Sequence, residues 1–267
     1  MKSLLVFGGN GFLGKRICQT AIEHGFKVTS LTRSGKPPRP MISSEKDWIS
    51  EVNWRQCDVF DVNGYNEYLQ DATNVVHSIG ILLEDSSYKQ KLKSNEPFKM
   101  SSPQWGNNPL KKDSKFTYEM MNKQSALKIA EELAKIPVAA EKRTFTYISA
   151  DRGFPLVYSG YITSKREAEM GLMRLEEKLR PIIMRPGFMF DEVVAASKGG
   201  KDLRTAFKTV FDTFNFANRL ILRNKLGFVN ELIRPTVSTQ QVSRAVIAKI
   251  EDPTFSGVCP LDEILDV

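Results

Sequence analysis

Short apolar runs alternate with helix-length segments through the first half of the chain, the pattern of a parallel sheet covered by helices on both faces. The runs predict strands at 3–7, 26–32, 52–58, 74–77, 143–148 and 181–185. The first helix is predicted over 12–24 and stops at Gly25, a residue that can take the left-handed cap conformation. Apolar residues recurring at three and four predict longer helices over 116–135 and 161–179.

Two regions break this rhythm. Residues 84–115 show no periodicity and carry Lys89, Lys91, Lys93, Lys111, Lys112 and Lys115 around Pro97, Pro103 and Pro109. Loops of that length serve as lids, partner contacts or solvated inserts. After Gly187 a helical stretch over 202–222 is expected, and Ser238 then opens a last helix, with Gln241 at capping-box spacing. There is no internal repeat.

Composition narrows the class. A chain of 267 residues that is 41% hydrophobic and 10% aromatic can bury one large domain or two unequal ones. No apolar run is long enough for a spanning helix, and with strand residues beginning at Ser3 no cleavable leader is expected ahead of the fold. Cys18, Cys57 and Cys259 form no CxxC, and only two histidines occur. Neither a disulfide scaffold nor a metal site is expected, and a reducing compartment is. The net charge of +7 favours an acidic counterpart: nucleotide, anionic membrane, nucleic acid or acidic protein. No aromatic-basic RNA motif or metal finger supports nucleic acid.

Directly after the first strand comes Gly8-Gly9-Asn10-Gly11-Phe12-Leu13-Gly14, leading into a helix. Strand, glycine turn and helix start together aim backbone N–H groups and the positive helix end at a pyrophosphate. Gly8 is read as the tight turn, Gly11 as room for the phosphate, and Gly14 as close approach of helix and sheet. An acidic residue after the second strand would hold the ribose 2'-hydroxyl of NAD, but none occurs between His24 and Ser44. The strand ends instead in Thr32-Arg33-Ser34. The Arg33 guanidinium suits the 2'-phosphate of NADP, the other reading being a solvated surface arginine. In Cys57-Asp58-Val59, Asp58 can accept from the adenine amino group or cap a helix.

Only one of the seven tyrosines, Tyr161, has a lysine four residues on, Lys165, which on a helix shares its face. A cation beside a phenol stabilises the phenolate, as a general acid or base near neutral pH requires. Ser149 ends the preceding strand.

The glycine turn, Asp58-Val59, Ser149, Tyr161 and Lys165 together resemble the short-chain dehydrogenase/reductase superfamily, in its extended or atypical branch. The resemblance implies a Rossmann-type doubly wound parallel sheet. Residues 1–187 would form the dinucleotide-binding domain, with the insert at 84–115, and 188–267 a small C-terminal cap region returning to its core. It implies that Ser149 and Tyr161 hold a carbonyl oxygen, that Tyr161 transfers the proton, and that Lys165 grips the nicotinamide ribose. Asn122, in Met121-Asn122-Lys123, takes the place of the fourth catalytic residue. The cofactor set implied is Gly8, Asn10, Gly11, Phe12, Leu13, Arg33, Asp58, Val59, Ser78, Ile79, Lys165, Pro186 and Gly187, with NADP favoured over NAD. Val75 to Gly80 resembles the fourth-strand segment beside the cofactor, and Arg185-Pro186-Gly187 the turn near the nicotinamide. Arg234 to Val237 resembles the late segment returning to the substrate side.

Longer runs, among them Phe7 to Arg16, Phe116 to Ser125, Ser164 to Glu169 and Arg185 to Asp191, resemble fungal mitochondrial proteins of coenzyme Q (ubiquinone) biosynthesis, relatives of the complex I 39 kDa subunit. That resemblance implies the matrix face of the mitochondrial inner membrane, partners in the coenzyme Q biosynthetic complex and a quinone-type substrate. Within 202–222, Leu203, Phe207, Val210, Phe211, Phe214, Ile221 and Leu222 make an apolar stripe rimmed by basic residues. It is either packed core or an interfacial helix on anionic lipid.

Overall fold

A computed structural model describes residues 2–82, 115–137, 141–152, 158–197 and 234–267. The basic insert, Lys115 excepted, and the apolar stripe between 202 and 222 lie outside the described residues.

The first strand, β1 (Ser3–Phe7), shows how the pattern builds the fold. Leu4 and Val6 enter the core on one face of the sheet, and Leu5 and Phe7 the core on the other. A strand buried on both faces must be apolar throughout, as this one is. The chain continues through α1 (Gly14–Glu23), β2 (Lys27–Thr32), α2 (Glu45–Glu51), β3 (Asn53–Gln56), α3 (Asn66–Asp71) and β4 (Asn74–His77). A π-helical turn (Glu119–Gln124) then runs into α4 (Ser125–Lys135), followed by β5 (Thr144–Ile148), α5 (Ser159–Met173) and β6 (Arg180–Met184). The last elements are β7 (Met189–Phe190), α6 (Glu192–Ser197), β8 (Val237–Ser238), α7 (Thr239–Glu251), β9 (Gly257–Cys259) and α8 (Leu261–Leu265).

Seven strands form one sheet in the order β3-β2-β1-β4-β5-β6-β9, each pair parallel. This is the Rossmann-like doubly wound fold that the apolar runs predict. Ile17 and Ala21 of α1 and Val242, Val246 and Ile250 of α7 cover one face. Leu69 of α3, Ile129 and Leu133 of α4, and Ala168 and Leu172 of α5 cover the other. Strand order reverses between β1 and β4, so the loops leaving their carboxyl ends diverge and open a crevice. Residues 8–14 and 78–82 lie there.

The six predicted strands, β1 to β6, fall within a residue or two of their spans, and Gly25 has φ +75°, as its capping place requires. Ser238 and Gln241 form the reciprocal capping box. Three expectations change. The helix predicted over 116–135 carries the π turn, and the one predicted over 161–179 spans Ser159–Met173. The helix opened by Ser238 is not the last element, because β9 pairs with β6 as the sheet's edge and α8 follows. Three residues are too few to show a period.

Candidate functional site

The glycine turn is built to leave space. Gly8 has φ +88° and donates its N–H to Leu31 O at 2.9 Å, tying the turn to β2. A Cβ on Gly14 would stand 2.2 Å from Gly8 O, so α1 can approach the turn only with glycine there. A Cβ on Gly9 would meet Ser30 Oγ at 2.2 Å and Cys18 Sγ at 2.8 Å. Gly9 is therefore as constrained as the spaced glycines, a need that spacing alone did not reveal. At Gly11 a Cβ would lie 2.9 Å from Gly8 O. Helix α1 begins behind Leu13 with no side-chain cap and no acidic residue in its first turn. Lys15 N and Arg16 N donate to Gly11 O and Leu13 O within the turn, and the positive end of the helix meets the crevice with no side-chain cap over it, so the cradle fits a dinucleotide pyrophosphate.

On the side of β2 and β3, Asn10 Nδ2 donates to Ser34 Oγ at 3.1 Å and Lys36 O at 3.2 Å, fastening the loop that follows β2. Arg33 stands exposed on that loop. Asp58 Oδ1 accepts from Phe60 N at 3.0 Å, an Asx turn, and Oδ2 lies 3.4 Å from Lys115 Nζ. The Phe60 N–H holds this carboxyl below its usual range against an opposing effect of burial, and the charges of Lys115 and Arg33 act in the same direction as the N–H. Val59 is buried beside it. Ser78 donates its N–H to Phe7 O, and Ser78 and Ile79 press against Gly8 from the β4 side. Phe12 and Leu13 lie within the turn into α1.

The second cluster forms where β4, β5, the π turn and α5 meet. Asn122 is fully buried, its Oδ1 accepting from Ile81 N at 2.8 Å and its Nδ2 donating to Ile81 O at 3.1 Å. Its side chain therefore fixes the segment leaving β4. Lys165 Nζ donates to Ile148 O at 2.7 Å and sits 4.7 Å from the Tyr147 ring centroid. A Cβ on Gly80 would lie 3.3 Å from that Nζ and 3.1 Å from Asn122 Oδ1. Burial pushes Lys165 down to about 7, with the Glu169 charge partly restoring it. Tyr161, one turn earlier on α5, is half-buried and meets the Tyr118 ring edge-on at 6.0 Å.

Ser149 lies at the end of β5 but faces a different group. Its Oγ donates to Glu169 Oε1 at 2.5 Å and accepts from Arg166 Nη1 at 3.2 Å. Arg185, preceding Pro186 and Gly187, holds the same carboxylate through Nε and Nη2. Pro186 O accepts from Asp151 N at 2.8 Å, and a Cβ on Gly187 would stand 3.0 Å from Pro235 O. Asp151 in turn pairs with Arg234 and Arg152. The segments ending β5, following β6 and preceding β8 thus converge at one end of the crevice.

One node was not legible as functional. Arg16, 1% exposed, donates from Nη1 to Glu45 and from Nη2 to Asp191, while Lys15 Nζ reaches Asp191 at 2.7 Å. It joins α1 to the start of α2 and to the residue just before α6. The available signal was a charged residue three positions after Leu13, on the buried stripe of α1.

A model of the NAD dependent epimerase/dehydratase family matches residues 4–96. MIOREX complex component 2 of Saccharomyces cerevisiae is 51% identical over 98% of this chain and 98% of its own length. A chloroplastic protein of Arabidopsis thaliana is 27% identical over 98% of this chain and 75% of its own. Among solved structures, alternative dihydrofolate reductase 1 (FolM) of Brucella canis, complexed with NADP, matches with a TM-score of 0.61 at 16% identity, over 99% of this chain and 94% of that one. The Bordetella bronchiseptica enzyme WbmH, in complex with NAD+, matches at 0.56 and 13% identity, over 97% and 75%.

Proposed function

This chain belongs to the short-chain dehydrogenase/reductase superfamily, in its extended or atypical branch, and on that premise we propose that it binds NADP(H) and transfers hydride between it and a carbonyl or alcohol. The observation that carries the reading is the uncapped start of α1 behind a turn that admits only glycine at Gly9 and Gly14, with Asn122, Lys165 and Tyr161 at the other end of the same crevice.

In this reading Gly8, Asn10, Gly11, Phe12 and Leu13 hold the pyrophosphate, and Arg33 the 2'-phosphate. Asp58 and Val59 receive the adenine, while Ser78, Ile79, Lys165, Pro186 and Gly187 line the nicotinamide half. Residues 1–187 act as the dinucleotide-binding domain and 188–267 as a small cap region returning to its core. When bound, the nicotinamide supplies or accepts the hydride. Tyr161 moves the proton at the substrate oxygen, and Lys165 biases its phenol toward ionisation. Asn122 fixes the Ile81 backbone beside them. Ser149 meets a substrate oxygen only on leaving Glu169.

The substrate proposed is a quinone-head intermediate of ubiquinone synthesis. The protein would lie peripherally on the matrix side of the mitochondrial inner membrane, among the coenzyme Q biosynthetic proteins. The 51% identical relative is itself named a complex component, which supports partners in a complex. Among the described residues no helix is long and apolar enough to cross a membrane.

Titration of NADPH and NADH against wild type and Arg33→Ala tests the cofactor. NADPH should bind the wild type more tightly, and the variant should lose about tenfold or more toward NADPH alone. A wild-type preference for NADH overturns the assignment. Gly11→Val should abolish binding of both.

The commitment of Ser149 to Glu169 and of Lys165 to Ile148 O favours one second reading, a nucleotide-bound assembly subunit without catalysis. Tyr161→Phe removes the proton donor with little change of shape. Full rescue of quinone synthesis by a Tyr161→Phe protein that still binds NADPH selects the subunit; loss of synthesis selects the enzyme.

A further inference from the structure

Strand β5 delivers one polar side chain that the reading above does not use. Tyr147 is fully buried, yet three of its contacts fall on the groups around Asn122 and Lys165. Its hydroxyl donates to the backbone carbonyl of Asn122 at 2.5 Å. Its ring face lies 4.7 Å from Lys165 Nζ, and the His77 ring packs against it at 5.6 Å.

The π turn explains why such a donor is needed. Over Glu119–Gln124 the helical repeat widens to i+5, so that Ser125 N donates to Met120 O, and the next two carbonyls of the turn, Met121 O and Asn122 O, each take a side-chain donor. Ser125 Oγ donates to Met121 O at 2.9 Å and lies 2.8 Å from His77 Nε2. Since its one proton goes to Met121 O, Ser125 accepts from His77, so His77 carries its proton on Nε2. Nδ1 of His77 has no partner among the described residues, which fits a neutral ring. Two strands thus reach over to satisfy successive carbonyls of the turn, β4 through His77 and Ser125, and β5 through Tyr147.

We propose that Tyr147 is a positioning residue that closes the π turn on Asn122 with its hydroxyl and seats the Lys165 ammonium on its ring. The proposal rests on the reading of Asn122 and Lys165 as catalytic-site residues. The groups facing Lys165 are His77 from β4, Tyr147 from β5, Asn122 from the π turn, and Tyr161, Arg166 and Glu169 on its own helix. Burial and the Lys165 charge push His77 down to about 3, so it offers no charge of either sign near neutrality. Burial holds the Tyr147 hydroxyl protonated, well above its ordinary value. What favours the ammonium is therefore the Ile148 carbonyl, the Tyr147 ring face and the charge of Glu169.

Two substitutions separate hydroxyl from ring. The full chain is labelled with lysine carrying 13C at Cε, the Lys165 signal is identified by its loss in Lys165→Arg, and the signal is titrated without nucleotide. Tyr147→Phe should leave the Lys165 midpoint in place while amide exchange over residues 122–126 quickens about tenfold, the loss of one buried hydrogen bond. Tyr147→Leu should quicken exchange equally and lower the midpoint by about one pH unit. If Tyr147→Leu does not fold, Tyr147→Met serves as the apolar variant without a ring. Unchanged exchange in Tyr147→Phe overturns the hydroxyl's role, and an unchanged midpoint in the ringless variant overturns the ring's. NADPH and NADH binding are measured on the same samples. A chain that binds neither, yet shows both shifts, keeps the role of Tyr147 and removes the dehydrogenase reading.

Discussion

Among the described residues, Arg16 and Lys123 each bridge two carboxylates, and they differ sharply in burial. Arg16 joins Glu45 and Asp191, all three with side chains no more than 5% exposed. Lys123 joins Glu119 of the π turn to Glu167 of α5, with side chains 22%, 50% and 39% exposed. In water both arrangements would be worth little. Once the charges are buried, each ion has lost hydration that only its partners replace, so the buried node tolerates no missing member. Backbone N–H groups fill the remaining capacity of its carboxylates, while Arg16 Nε has no partner among the described residues. Glu45 also accepts from Met41 N, and Asp191 from Val193 N and Val194 N. The comparison teaches that the charge pattern states who pairs, while depth states what the pairing is worth.

Removing the buried cation should give the largest effect. Arg16→Met keeps the aliphatic stem and leaves Glu45 and Asp191 facing each other with only Lys15 nearby; unfolding in urea should show a loss of about 3–5 kcal/mol. A loss under about 1 kcal/mol would place Arg16 in the same class as Lys123 and dissolve the contrast.

Acid titration sharpens the same point through its sign. Burial alone would raise Glu45, but the Met41 N–H and the Arg16 pair outweigh it, and its folded pKa is lowered. Burial likewise opposes Lys15 and Arg16 at Asp191, and again the partners prevail. A carboxyl lowered by folding stabilises the protein above its unfolded value, and that contribution vanishes as pH falls through the folded value. Wild type should therefore lose stability as pH drops from about 5 to 3, starting near the unfolded carboxyl values. In Arg16→Met the Met41 N–H still holds Glu45 and Lys15 still holds Asp191, but each carboxyl loses its Arg16 partner and is lowered less, so their contribution to the acid-induced loss shrinks. Denaturation midpoints at several pH values, compared between the two proteins, should show the acid-induced loss flattened in the variant. Parallel curves would overturn the assignment.

Legibility followed the same divide. The sheet and the glycine turn could be read because they depend on local period and spacing: β1 alternates core faces residue by residue, and Gly8 to Gly14 sit between a strand and a helix. Gly9 was not singled out, since its need arises from Ser30 and Cys18, which arrive from other elements. The π turn was invisible because apolar spacing over 116–135 looks the same with one residue of slippage, and what holds it comes from His77 and Tyr147 on separate strands. Ser149 could be placed at the end of β5, but its partner could not, because Glu169 reaches it only after α5 folds back. The Arg16 to Asp191 contact spans 175 positions. Only the intrusion of a charge into the apolar stripe of α1 hinted at it.

A third node inverts the first and should fall between the extremes. Here one buried carboxylate, Glu169, serves Arg166, Arg185 and Ser149. The arginine side chains are 30% and 31% exposed, so water can partly replace what they lose. Glu169→Gln keeps the shape and one acceptor, and should cost about 1.5–3 kcal/mol in urea unfolding. A loss equal to that of Arg16→Met would show that burial of the shared ion alone sets the magnitude, with the exposure of its partners irrelevant.

Lys123→Ala should give the smallest effect, and salt makes it diagnostic. Its ammonium is held by Glu167 at 2.7 Å and Glu119 at 3.0 Å, contacts as short as those of Arg16 with Asp191. Distance therefore predicts equal losses, whereas depth predicts about 0.2–1 kcal/mol here. At roughly 0.1 M ionic strength exposed charges are already partly screened, and at about 1 M the screening length falls to roughly 3 Å, so the Lys123→Ala loss should shrink toward zero. The Arg16→Met loss should persist, because salt does not enter a site whose ions are at most 5% exposed. Urea unfolding of wild type and both variants at low and high sodium chloride checks this directly. If the two losses scale together with salt, the Arg16 node is hydrated in solution, and its charges stabilise the fold no differently from a pair on the surface.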